Sequence, residues 1–162
     1  MAIRNYKELS SLLQKITERL LVNQDLCKLL HYTQINPLAQ PNLTNAELKK
    51  FIGDEIRFIP RVGVTEVTKS KIVLVLPRGE KLVENAEITR LPIDIYVYTP
   101  YTEWVIEGDD LRIFLIMSKI EELLDGKNIG GIGNFNSLEF EMIPSTDEIC
   151  AYRMGFRIDL FK

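Results

Sequence analysis

The chain has 162 residues, 46% of them apolar and 27% charged, with 20 Lys+Arg against 23 Asp+Glu and a single His. That length and mixture fit one globular domain burying roughly 70% of the surface its unfolded chain exposes, and exclude an intrinsically disordered chain. A net charge of −3 excludes a protein whose main task is to neutralise nucleic-acid phosphates, and one His with two Cys leaves little material for metal or nucleophile chemistry.

The N-terminal region reads as helical. Tyr6, Leu9, Leu12, Leu13, Ile16 and Leu20 recur at three- and four-residue steps, with Lys7, Lys15, Glu18 and Arg19 between them, which is an amphipathic helix. Asn23 is suited to cap a second short helix whose apolar face is Leu26, Leu29 and Leu30. Asn36-Pro37 and Gln40-Pro41 break that pattern. Thr44 and Glu47 form a capping box stapled by Leu43 and Leu48, predicting a third helix from about Asn45 to Ile52 that stops at Gly53.

The period then changes. Residues 55–59 predict a strand ended by Pro60 and Gly63, and residues 60–71, rich in Thr, Lys and Gly, an extended loop or projecting arm. The run from Ile72 to Leu76 predicts a strand buried on both faces. Ile93, Ile95 and Val97 alternate with Asp94, Tyr96 and Tyr98, giving one core face and one aromatic-polar face. After a connection holding Pro100, Tyr101 and Trp104, Asp109 or Asp110 is expected to cap a long apolar helix from Leu111 to Leu124 that lies against the sheet with little solvent contact, with Gly126 at C′. A Gly-rich turn, a strand from Phe135 to Met142 and a last strand complete the order. The last strand carries Tyr152, Met154, Phe156, Ile158 and Leu160 on one face, with Arg153, Arg157 and Asp159 on the other.

Strand runs around one long helix, joined by hairpin-length gaps, predict an α+β fold: a mainly antiparallel sheet packed by one long helix, with an N-terminal helical segment. No domain boundary stands out, so residues 1–162 read as a single domain, 1–53 helical and 54–162 sheet plus long helix. Cys27 and Cys150 are expected to be reduced core thiols. The N-terminus has no apolar signal region and the longest apolar runs fall far short of the ~20 residues that span a bilayer, so a soluble chain folding in a cytoplasm is expected.

The chemistry-bearing residues have structural explanations. The glycines at 126, 130, 131 and 133 close a helix instead of opening one, so a phosphate would meet its negative end. His31 is expected to cap the end of its helix. The acidic pairs Asp54-Glu55, Asp109-Asp110, Glu121-Glu122 and Asp147-Glu148 are adjacent residues that point apart, unlike converging catalytic carboxylates. No catalytic, cofactor-binding or metal-binding residue is assigned, and no cofactor is expected. The interface candidates are the aromatics Tyr96, Tyr98, Tyr101 and Trp104, with Arg153 and Arg157 as ion-pair candidates.

Three stretches carry a family resemblance: Leu26-Cys27-Lys28-Leu29-Leu30-His31-Tyr32 at the end of the N-terminal helices; Ile93-Asp94-Ile95-Tyr96-Val97-Tyr98 followed by a loop and the helix to Leu124; and the Gly-rich turn with the closing Tyr152-Arg153-Met154-Gly155-Phe156-Arg157-Ile158 strand. In element order and texture the chain resembles the tail terminator (tail-completion) proteins of tailed bacteriophages. The resemblance implies a structural virion protein without catalytic activity, forming a ring, usually of six copies, that caps the tail tube and joins it to the head or neck. Its implied partners are further copies of itself, the tail tube protein and a neck or head-completion protein, with DNA passing through the lumen without specific binding and no membrane. The implied location is the virion tail or neck, after assembly in the host cytoplasm. The rival readings are a head-completion or neck connector protein, a small α+β enzyme of unknown substrate, and an accessory nucleic-acid-binding module.

Overall fold

The computed structural model describes residues 3, 5–58, 67–81, 88–131, 133–144 and 146–160. Four α-helices, α1 (Tyr6–Leu21), α2 (Gln24–His31), α3 (Asn45–Leu48) and α4 (Arg112–Leu124), accompany six strands, β1 (Ile56–Arg57), β2 (Lys71–Val75), β3 (Glu80–Lys81), β4 (Ile88–Pro100), β5 (Gly133–Ile143) and β6 (Ile149–Leu160). The strands form one sheet in the order β1-β2-β4-β6-β5, with β3 also on β4. Every pairing is antiparallel except β1 with β2. The fold is α+β, as the alternating periods predict.

One core holds it together. Leu12, Ile16 and Leu20 of α1, Leu26, Leu29 and Leu30 of α2 and Ile113, Ile116 and Ile120 of α4 meet Ile93, Ile95 and Val97 of β4 and Phe156 and Ile158 of β6, all at most 1% exposed. The continuous apolar run of β2 is closed on both faces: Ile72 and Leu74 enter the core, while Val73 lies beside Tyr96 on the other side. Cys27 and Cys150 are free and buried.

The caps at 23 and 44 form as their side chains predict. Asn23 accepts from the Leu26 N–H, and Thr44 and Glu47 complete a reciprocal capping box. The structure departs from the sequence expectations at several points. First, α3 ends at Leu48 instead of near Ile52, because Lys50 and Phe51 donate to the carbonyls of Glu47 and Leu48, tightening the chain into i→i−3 bonds ahead of Gly53. Second, neither Asp109 nor Asp110 caps α4. Its N-cap is Leu111, with no side-chain cap, and the Arg112 N–H is taken by the Trp104 carbonyl. Asp109 instead sits at φ +62 in a turn with Gly108, closed by the Val105–Leu111 bridge. Third, α4 buries only its sheet-facing side; Phe114 and Ser118 stand on an exposed flank. The strand expected at 55–59 is the two-residue β1. The expected arm at 60–71 falls largely outside the described residues.

Candidate functional site

Two places gather polar or apolar groups in a way packing alone does not require. One lies where α2 meets β1. His31 does not cap its helix; its Nδ1 lies 3.1 Å from Oε1 of Glu55, and its ring stacks on Phe51. Glu55 is 3% exposed and also accepts from Lys69 at 2.5 Å. Lys69 reaches Asp54 as well, at 3.3 Å, and Asp54 pairs at 2.9 Å with Lys71, whose side chain is buried. Burial pulls the Lys69 ammonium down, but the hydrogen bond and charge of Glu55, aided by Asp54, outweigh it and hold it above the ordinary lysine value. The hydrogen bond from Lys71 holds the Asp54 carboxyl below its usual range.

Cys27, one turn before His31 on α2, has its thiol pushed up to about 12, first by burial and then by the Glu55 charge. It stays protonated at neutral pH, which is the opposite of an activated nucleophile. The cluster is thus a chain of hydrogen bonds and ion pairs that ties the last turn of α2 to β1 and β2. Among the described residues, no three of His, Cys, Asp and Glu converge as a metal site would require, and no helix is long and apolar enough to cross a membrane.

Asp54 gives the cluster a pH signature. Its folded carboxyl titrates below the unfolded value of about 3.9, so its contribution is complete above that value and disappears as the pH falls through the folded one. Asp54→Asn should therefore melt below the wild type at neutral pH, and the gap should narrow as the pH falls below the unfolded value. Thermal melts at neutral and at acid pH check this; a gap that does not narrow in acid contradicts it.

The second place is the sheet's free edge. The first half of β5 is covered on its outer side: Asn128 bridges Asn134, Phe135 exchanges hydrogen bonds with the 126–127 backbone, and the Ser137 N–H donates to Asp125 at 2.7 Å. Past the irregularity between Ser137 and Glu139, no described residue pairs with the strand's outer side. There Leu138, Phe140 and Met142 are 55%, 67% and 66% exposed. Phe140 continues an aromatic row through Tyr152, at 6.4 Å, to Phe114, a further 5.2 Å on. Together with Met117 and Met154, Leu138, Phe140 and Phe114 line an open groove of about 470 Å³ between α4 and the edge.

On the opposite sheet face, Glu139 and Glu141 alternate with these apolar residues and converge on Arg153. Its guanidinium donates to Glu139 at 2.7 Å, Glu141 at 2.8 Å and Asp94 at 2.9 Å. Those carboxylates hold Arg153 well above its ordinary value. This ties β5 to β6 and β4 where its outer side is bare.

The residues singled out from the sequence are distributed as follows. Tyr96 and Tyr98 stack at 6.5 Å on the non-helical face, half-buried, with Tyr96 directly across from Arg153. Burial raises the phenol pKa of both. Tyr101 and Trp104 form a separate pair at 5.3 Å beyond the end of β4; Tyr101 is exposed, while Trp104 packs against the core. Arg157 pairs with Asp159 on its own strand, at 3.0 Å. Both arginines thus make ion pairs within the chain. The apolar edge of Leu138, Phe140 and Met142 was not singled out, although its period-2 alternation with Glu139 and Glu141 is visible; alternation alone does not say whether a helix covers the apolar side.

A comparison of the chain with curated proteins gives no match. The family model named YomW matches residues 23–158, from the N-cap of α2 to within two residues of the end of β6, so both clusters lie inside it. The chain belongs to the YomW family, named after a gene of a Bacillus phage region, and is a phage-associated protein.

Proposed function

We propose that the chain is a structural virion protein of the tail-terminator kind, a ring subunit that caps the tail tube and joins it to the neck, with no catalytic step. Its partners in this reading are further copies of itself, six to a ring, the tail tube protein and a neck or head-completion protein, with DNA passing through the lumen without specific binding.

The observation that carries this reading is the bare apolar edge of β5. A strand that leaves backbone groups and large apolar side chains unpaired is a template for another chain, and monomeric proteins normally blunt such edges. Here the charges that would blunt it, Glu139 and Glu141, are drawn onto Arg153 on the opposite face. Among the described residues, the other end of the sheet is the two-residue β1, which offers no comparable edge. An edge that meets a different surface on the next copy makes a heterologous contact, which closes into a ring when the rotation allows. Membership of a phage-associated family supports the same reading. A head-completion or neck connector would use the same surface on the other side of the joint.

The test is to add the purified protein to tail tubes assembled from their own subunit. Electron micrographs should show a collar of extra density at one tube end and tubes that stop lengthening. Bare ends and continued growth contradict the proposal.

A further inference from the structure

Behind the free edge, on the non-helical face, lies a second concave surface. Arg78, Arg90 and Arg157 line an open groove of about 230 Å³ with Pro92 and Leu138. Leu138 lines the groove beside α4 as well, so the two surfaces are continuous around the strand irregularity. Arg157 is engaged by Asp159, but Arg78 and Arg90 are exposed and have no ion-pair partner among the described residues.

The complementary charge sits at the other end of the molecule. The turn between Val105 and Leu111 carries Glu107, Asp109 and Asp110, all exposed and without ion-pair partners among the described residues. It is held in one shape by the Val105–Leu111 bridge, by the Ile106 N–H donating to the Asp110 carbonyl, and by the Glu107 N–H donating to the Ile35 carbonyl at 2.7 Å. Val105, 51% exposed, adds an apolar flank. Arg90 lies near the start of β4 and the turn follows its end. The strand between Arg90 and Pro100 alone spans about 33 Å at roughly 3.3 Å per residue.

We infer that the acidic turn of one copy seats in the arginine groove of the next, with Val105 against Leu138 and the carboxylates on Arg78 and Arg90. The contact rests on the ring reading above and supplies its second, electrostatic half. A cationic patch and a rigid anionic patch on opposite ends of one chain are what a head-to-tail closed interface needs, because each subunit then presents both halves.

Two variants test it. Arg78→Glu with Arg90→Glu reverses the groove, and Glu107→Lys with Asp110→Lys reverses the turn; Asp109 is left alone because its positive φ disfavours lysine. None of the four side chains has an ion pair within the described fold, so circular dichroism should be unchanged. By sedimentation, each variant alone should self-associate at least about tenfold more weakly than wild type. An equimolar mixture should recover wild-type association, since an alternating assembly pairs reversed groove with reversed turn and native groove with native turn. Wild-type association should also weaken between about 0.15 and 1 M salt as the screening length shrinks.

Wild-type assembly that persists in either variant, or a mixture that fails to recover, overturns the contact while leaving the ring reading standing. A wild-type chain that never assembles, even on tubes, overturns both. Salt-sensitive binding of duplex DNA that is lost with Arg78→Glu/Arg90→Glu, with self-association intact, makes the groove a nucleic-acid surface instead.

Discussion

Replacing Arg112 with methionine should lower the unfolding free energy by about 3–5 kcal/mol, the scale seen when a buried ionic group is removed and its partners are left behind. Arg112 is fully buried at the first position of α4. Its Nε donates to the Glu103 carbonyl at 2.9 Å, Nη1 to the carbonyls of Leu29 (3.0 Å) and Tyr32, and Nη2 to that of Gln34 at 2.7 Å. Three of these carbonyls lie at and beyond the end of α2, so one guanidinium closes that helix end and ties it to α4. The Glu103 carboxylate, 3.8 Å from Nη1, accepts from the Ser70 N–H and hydroxyl; burial pushes its pKa up and Arg112 opposes that push. Methionine fills the volume but leaves four carbonyls and the buried Glu103 carboxylate without the guanidinium. Lysine should recover only part of the loss, because an ammonium cannot fork across α2 and the following loop. Urea denaturation measures both, and a midpoint unchanged in Arg112→Met refutes this role.

Phe140→Ser with Met142→Ser should leave the melting temperature nearly unchanged and abolish assembly. Both side chains are about two-thirds exposed, so folding loses little, within about 0.5 kcal/mol per site. If they are the centre of a subunit contact, each removes a hot spot of about 2 kcal/mol or more, so the pair weakens each contact several-hundred-fold. In a ring the loss recurs at every interface. Melting by circular dichroism alongside tube-capping micrographs separates the effects; capped tubes with normal rings in the double variant place the contact elsewhere.

The elements were legible where local rules act alone. The β6 alternation, the closed apolar run of β2, the Asn23 cap and the Thr44–Glu47 box depend on residues within a few positions of one another. What escaped depends on distant parts of the chain. Asp109 and Asp110 look like caps, yet the bridge from Val105 to Leu111 turns them outward, and the backbone of Trp104 takes the first α4 N–H. His31 meets a carboxylate 24 positions away and Arg112 meets carbonyls about 80 positions away. The bare side of Leu138, Phe140 and Met142 follows from β5 being last in the sheet and from residues 125–128 pairing only with its first half, facts of topology rather than of composition.

The central claim is that copies of this chain join head to tail through the β5 edge. Native mass spectrometry of the wild-type protein over a range of concentrations, with and without tail tubes, tests it most directly. A monomer should give way to one closed species of six copies, with no stable dimer along the way. A dimer that persists at every concentration would mean a two-fold, self-complementary contact and contradict it.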